Sequence, residues 1–469
     1  MSKSAVESPA NGLAGTTIAA LLLAAAQAPL GSTMIAVGLP EISKSLHSDI
    51  GLVTSLAVTS YLIVNIIGQS PGGKLGDVLG HLRTARIGIL LFAIGAGVGV
   101  FANSLLLLVI SRCTMALGAA LVFPSTVALL RTHVPEARRG RVFGLVGSTM
   151  SLSAAIGPPL GGELVSRFGW RAIFFASLPC LAVAVVLVRL APPPARPTNA
   201  KQQDARAVLR AFDWGGSALL SAALASLVIG SKIHGNLQPM VLIGCAVLAV
   251  VFVFWELRAK DPVRDPRVFT RGAFTAGSLI IAMQNFAMYG LIFQLPQFFT
   301  QIRGATAREV GQILFAMMAC MFALSPIGGR SSDRLGPRTS ALAGAVLTFI
   351  GVLWLRRLGS FMVPSDALYP LMLVGVGLGL GTAPAQTAAM MAVGVEQAGM
   401  AAGATSTMRY LGRVVSILML SGILGGAGAM QIAAHESAVT AFATASGLAV
   451  LMCLALPGTV AGSKPIARP

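Results

Sequence analysis

Long apolar runs alternate with short polar stretches along most of the chain. A helix needs about 20 mostly apolar residues to cross a bilayer. Runs of that order fall at 16–38, 50–71, 84–102, 104–130, 140–163 and 172–190. A stretch rich in proline and charge follows, from Pro192 through Arg210. Two shorter runs lie near 214–232 and 239–256, and six more near 273–296, 308–328, 339–357, 367–393, 399–425 and 438–457. The pattern predicts an all-α integral membrane protein with about 14 transmembrane helices in a six, two, six order. The implied divisions are an amino-terminal segment 1–15, a six-helix bundle 16–190, a linker 191–213, two added helices 214–256, a basic loop 257–272, a second six-helix bundle 273–457 and a tail 458–469. Lys3, the apolar run from Leu21 and the small residues around Ala26-Gln27-Ala28 have the look of a cleaved leader. Because the apolar character continues through Leu39, the run is expected to stay as the first span.

One charged, glycine-punctuated stretch, Gly73 to Arg86, reads as a loop between the second and third runs. Its skeleton, Gly-x-x-x-Asp-x-x-Gly, occurs at Gly73, Asp77 and Gly80 and again at Gly329, Asp333 and Gly336. The same skeleton at matching places in two halves predicts an internal repeat, two pseudo-symmetric bundles with two extra helices between them. Asp77 and Asp333 fall at helix boundaries, where a carboxylate can accept backbone N–H groups at the positive end of a helix.

Composition narrows the class. The 469 residues are 55% hydrophobic and only 11% charged, against about 25% charged in a soluble domain. The net charge of +18 is spread over short loops and does not form one basic face, so nucleic acid is not the expected partner; anionic lipid headgroups are. Loops carrying Lys74, Arg83, Arg86, Arg131, Arg138, Arg139, Arg141, Arg330, Arg334 and Arg338 alternate with sparser ones carrying Lys44, Arg167, Arg171, Arg303 and Arg308. The positive-inside rule then places both termini in the cytoplasm of a multi-pass protein of the cell (inner) membrane. Arg356 and Arg357 run against that trend and are expected to snorkel to the outer headgroups. Cys113, Cys180, Cys245, Cys320 and Cys453 all sit in apolar runs without a short pairing, which indicates neither a disulfide framework nor a zinc site.

The residues able to do chemistry are few. Arg112 falls inside the fourth run, where an unpaired charge costs about 2.5–3.5 kcal/mol at mid-bilayer, so it must face the bundle interior, polar backbone or water. Arg409 and Arg413 are four apart and share a helix face. With the thirteenth helix starting near Gly399, they lie ~15–20 Å deep, either lining a water-filled cavity or, with a shifted helix, snorkelling. Tyr61, Asn65 and Gln69 share a face of the second helix; Gln284, Asn285 and Tyr289 lie in the ninth; Gln27 and Gln386 are lone amides in the first and twelfth. Each serves either as interhelical glue or as cavity lining, since polar groups in lipid must be hydrogen-bonded. No carboxylate falls in the middle of any run. A dication normally needs a buried acid, so the expected cargo is neutral, zwitterionic or anionic. The alternate glycines Gly375, Gly377, Gly379 and Gly381 lie in a long apolar run and read as helix-packing surface, not as a nucleotide loop. No metal cluster, nucleophilic triad or cofactor motif stands out, and an enzyme is not expected.

Four motifs in this order resemble the major facilitator superfamily, in its fourteen-span drug/proton antiporter branch. They are Gly73 to Arg83; Arg112 with Gly118-Ala119-Ala120 and Pro124-Ser125; Gly157-Pro158-Pro159 with Gly161-Gly162; and Gly169-Trp170-Arg171 leading into Phe174-Phe175. The resemblance covers nearly the whole chain. It implies a monomeric secondary transporter whose bundles rock about a midplane site, with protons as co-substrate and export of a small amphipathic molecule such as a drug, antibiotic or secondary metabolite. It also implies that Gly73, Asp77, Gly80 and, by the repeat, Asp333 act in a gate, and that Gly157, Pro158, Gly161, Gly162 and the following Glu163 form an antiporter motif. The sequence departs from the branch at Val78, Met115 and Ala116, and most of all at Gly31, which stands where the branch usually carries aspartate. That departure leaves Asp77 and Glu163 as the remaining proton carriers and keeps open an uncoupled facilitator, or an importer of an organic anion.

Overall fold

A computed structural model of the chain describes residues 15–134, 136–190, 213–230, 237–258, 266–358, 363–393, 398–424 and 432–456. The expected linker up to residue 212, the middle of the basic loop and the tail lie outside these, as do the side chains of Arg138, Arg139 and Arg141. The described residues form helices and no strand, as a bilayer requires of an open chain whose backbone groups must pair internally.

The first half contains α1 (Gly15–Ser45), α2 (residues 50–79), α3 (His81–Val100), α4 (Leu105–His133), α5 (Glu136–Phe168) and α6 (residues 172–190, as Ala172–Phe175 and Ser177–Leu190). Two helices follow, α7 (Trp214–Gly230) and α8 (Leu237–Arg258). The second half contains α9 (Gly272–Ile302), α10 (Ala307–Leu335), α11 (Pro337–Leu358), α12 (Leu368–Met391), α13 (Ala398–Ile423) and α14 (Ile432–Cys453). Ten helices of the described residues are long and apolar enough to cross a membrane. The expected fourteen segments are therefore present as helices, and ten of them meet that measure. Leu90, Ile94, Ile243 and Phe254 point outward and are each more than half exposed, the arrangement of a protein whose solvent is hydrocarbon.

The packing repeats with an offset of eight helices. In the first half α1 packs on α5 and α6, α2 on α4, and α3 on α4 and α6. In the second, α9 packs on α13 and α14, α10 on α12, and α11 on α12 and α14. The contacts between halves obey the same operation: α5 meets α10, and α13 meets α2. The added α7 and α8 pack mainly on each other, with α7 touching α2.

The stretch from Gly73 is not a loop. Helix α2 continues through Leu79, and α3 begins at His81. Charge ends the hydropathic run before the backbone leaves the helix. The reversal falls on the last glycine of each skeleton copy: Gly80 has φ +90° and Gly336 +85°, a region that costs a Cβ-bearing residue roughly 1–2 kcal/mol. The capping role expected of Asp77 is not seen. It sits in the last turn of α2 with Oδ1 3.4 Å from His81 Nε2, and α3 starts without a side-chain cap. Asp333 is exposed in the corresponding turn of α10.

Two further features place the site. Helix α2 contains a π-helical turn at Thr54–Thr59, which loosens the backbone ladder there; the Ala57 carbonyl accepts from Arg112 Nε at 3.1 Å. On α12 the alternate glycines act as packing surface: Gly375 and Gly379 meet α10 at the Met317 and Met321 carbonyls, and Gly377 meets α11 at the Gly344 carbonyl.

Candidate functional site

Between the bundles lies a cavity of about 210 Å³, walled by α1, α2, α4, α5, α9 and α13. The first wall comes from α2, whose Tyr61, Asn65 and Gln69 face inward together. Gln69 Nε2 donates to Asn65 Oδ1 at 2.7 Å and, across the bundle interface, to the Tyr410 hydroxyl at 3.2 Å. A second crossing joins Ser32 of α1 to the Tyr289 hydroxyl of α9 at 3.0 Å.

The opposite wall is α13, which presents Ser406, Arg409, Tyr410 and Arg413. Arg413 Nε donates to Asn285 Oδ1 at 2.9 Å, and its guanidinium lies 4.4 Å from the Tyr289 ring centroid and 5.1 Å from that of Tyr410. Arg409 donates to Gln386 Oε1 at 2.8 Å. These partners are neutral amides and ring faces, the latter worth ~0.5–2 kcal/mol each. They orient the two cations without neutralising them. No acidic residue lines the cavity among the described residues, so its fixed charge is positive. Arg112 stands directly behind the α2 wall at 1% exposure, its guanidinium 4.2 Å from the Tyr61 ring centroid. Its Nη2 and the Tyr61 hydroxyl have no hydrogen-bond partner among the described residues.

The sequence-derived candidates thus fall into three groups. Tyr61, Asn65, Gln69, Tyr289, Arg409 and Arg413 line the cavity. Asn285, Gln386 and Arg112 stand behind the lining and hold or stack on it. Gln27 and Gln284 do neither: Gln27 donates back to Leu23 of its own helix, and Gln284 accepts from Thr382 of α12. Each lies next in sequence to a residue of the site, and one residue is about 100° around a helix. Ser32, Phe123, Met150 and Tyr410 also line the cavity. Of these Tyr410 was traceable, one position from Arg409 and three from Arg413.

At the side opposite the chain's first described residue, here the far side, the bundles close on each other. The glycines of α5 make this possible. Gly157 meets Thr33 and Gly161 meets Met34, both of α1, while Gly162 meets the Ala307 carbonyl of α10. Reciprocally, a Cβ on Gly311 of α10 would lie 2.5 Å from the Pro158 carbonyl. Glu163 joins Arg167 on its own helix and Arg308 of α10, the latter at 3.2 Å. Ser421 of α13 donates to the Gly51 carbonyl of α2 at 2.6 Å on the same side. The gate candidates Gly73, Asp77 and Gly80, and Asp333, lie at the other side, where Asp77 meets His81 within its own bundle. Gly31, at the usual acidic position, is buried on α1, and among the described residues a Cβ there would meet only Met115 Cε, at 3.9 Å.

Comparison with known proteins agrees with this architecture. A sequence profile of the Major Facilitator Superfamily matches residues 21–417. The "uncharacterized MFS-type transporter YvkA" of Bacillus subtilis is 32% identical, over 87% of this chain and 90% of that one. The "multidrug resistance protein Stp" of Mycobacterium tuberculosis is 30% identical over 84% of this chain and 73% of that protein. The "tetracenomycin C resistance and export protein" of Streptomyces glaucescens is 28% identical over 86% and 77%. Among solved structures, a bacterial homologue of the human lysosomal transporter Spinster, inward-facing and unoccupied, superposes with TM-score 0.68 at 16% identity, covering 94% of this chain and 97% of that one. A D-xylose–proton symporter does so with TM-score 0.65 at 14%, covering 94% and 97%. The repeated bundles, the cavity between them and the profile match over most of the length lead to one conclusion: the chain belongs to the Major Facilitator Superfamily and is a multi-span membrane transporter, not an enzyme.

Proposed function

We propose that this transporter exports a small amphipathic molecule, neutral or anionic, by alternating access and in exchange for protons. The observation that carries the cargo class is the central cavity, which holds Arg409 and Arg413 and, among the described residues, no carboxylate. A dication would meet two uncompensated like charges there, whereas an acidic or hydrogen-bond-accepting aromatic molecule meets guanidiniums, amides and three tyrosine rings. The names of the relatives, multidrug resistance and antibiotic export, support the direction. Basic loops on the side of Asp77 and Asp333 support placing that side, with both termini, in the cytoplasm.

In this reading the far-side seam is closed and the cavity belongs to the cytoplasm-facing state. Asp77 and Asp333, with their turn glycines, act when that side closes in turn. Glu163 is the group through which protons act: taking up a proton removes its charge from Arg308 and loosens the seam. Both side chains are partly exposed, so the pair is worth about 0–1 kcal/mol. Glu163→Gln is expected to shift the balance between the two states by up to about five-fold. Transport should become less dependent on a pH gradient while substrate exchange persists; unchanged pH dependence would remove Glu163 from the coupling.

The test of the whole reading is flux in proteoliposomes across compounds graded in charge, with and without an imposed pH gradient. Carboxylate-bearing and neutral aromatic compounds should move faster than an alkyl bis-ammonium dye, and the gradient should drive them. A preference for the dication would overturn the cargo class. The second reading, an uncoupled facilitator or importer of an organic anion, is favoured by Gly31, which leaves α1 without the usual carboxylate. Flux of the anion that ignores the gradient would select it.

A further inference from the structure

A larger cavity, about 570 Å³, lies on the outside of the first bundle in the angle between α2, α3 and α4. Val64, Ile67 and Pro71 of α2, Leu91 of α3 and Leu117 and Leu121 of α4 make its walls apolar. Its only charged lining residue among those described is Lys74, which is exposed and stands one turn before the last turn of α2. The floor is the seam where Gly68 and Gly72 meet Ala120; a Cβ on Gly72 would lie 2.5 Å from the Ala120 carbonyl. The reverse side of that seam carries Asn65, Gln69, Ala119 and Phe123 into the central cavity. The groove and the transport cavity therefore share one wall.

All three helices are long and apolar enough to cross a membrane, which sets the groove's apolar walls against hydrocarbon and not water. Exchanging one acyl chain for another there brings no hydrophobic gain. Selectivity has to come from the one charge at the groove's end, at headgroup level, and that charge is a cation. We infer that the groove is a binding site for an anionic phospholipid, one acyl chain lying along α2 and α4 and the headgroup phosphate meeting Lys74. A lipid held there braces the helix that presents Tyr61, Asn65 and Gln69 to the cargo. The inference rests on the groove's geometry and on membrane embedding, and is independent of cargo, coupling and direction.

The test is native mass spectrometry of the detergent-purified full chain, titrated with phosphatidylglycerol or with phosphatidylcholine of the same acyl chains. One retained lipid is expected, with about a five-fold preference for phosphatidylglycerol, the size that one basic side chain near an anionic surface supplies. Lys74→Gln should abolish the preference while leaving a lipid bound. Leu117→Trp and, independently, Cys113→Trp should fill the groove and remove the retained lipid from chains that still purify as folded monodisperse protein. A preference that survives Lys74→Gln overturns the headgroup assignment. Lipid retention unchanged in both tryptophan variants overturns the site. Undiminished lipid retention together with loss of a bound hydrophobic cargo overturns it in favour of a side entrance for cargo.

Discussion

Arg413→Ala is expected to weaken binding of a carboxylate-bearing cargo by ~10- to 100-fold, the range of a hydrogen bond to a charged group at about 1.5–3 kcal/mol. Arg413 is held by Asn285 and lies between the Tyr289 and Tyr410 rings, so its position is set before cargo arrives. A preorganised cation loses little freedom on binding, which is why its removal should cost more than that of a free surface arginine. Arg409→Ala should cost less, because Arg409 lies more than a turn nearer the start of α13, away from the Tyr289 ring that Arg413 faces. Neither change should unfold the protein, since each removes a cation from a costly environment. Tracer binding to purified protein, with an anionic and a neutral analogue of similar shape, measures the effect. The neutral analogue should lose only a few-fold through the disturbed tyrosine rings; equal losses for both would end the anion reading.

Gly162→Leu is expected to stop transport without stopping membrane insertion. Gly162 meets the Ala307 carbonyl, and Gly311 meets the Pro158 carbonyl at the same seam. Backbone cannot retreat as the end of a flexible side chain can. Overpacking costs about 1–3 kcal/mol, and here it falls only on the state in which the far side is closed. The balance between states should shift by ~5- to 150-fold toward far-side opening. Gly311→Leu should do the same from the other bundle. The measurement is labelling of a single cysteine at Ser421, which is buried in the closed far-side contact between α13 and α2, in a chain cleared of its own cysteines, by a membrane-impermeant maleimide added from the far side. Labelling should quicken in both variants as flux disappears. Unchanged labelling would show that these glycines pack the seam without controlling it.

The helices were readable from hydropathy because lipid leaves a chain few alternatives, and the repeat was readable from two copies of one short skeleton. The ends were less so. Gly73 to Leu79 looked like loop because Lys74 and Asp77 interrupt the apolar run, yet a helix meets no penalty for carrying charge once it reaches the headgroups. Arg409 and Arg413 were visible because a charge inside an apolar run demands a polar environment. Gln27 and Gln284 carry the same demand, and sequence does not say which neighbour meets it; here the answer is the helix's own backbone and Thr382. The tie between Glu163 and Arg308 spans two bundles. No local pattern announces such a pair, since only the folded arrangement of α5 against α10 brings them together.

The π-helical turn at Thr54–Thr59 fixes the phase of everything after it on α2. Such a turn holds one residue more than an α-helical path of the same length, which rotates the downstream helix by about 100°. Removing a single residue there would swing Tyr61, Asn65 and Gln69 away from the aqueous chamber and carry the Gly68 and Gly72 stripe out of its register with Ala120. One extra amino acid therefore decides which longitude of the cylinder looks at water and which at oil. A one-residue deletion in this segment should be far more damaging than any point change within it.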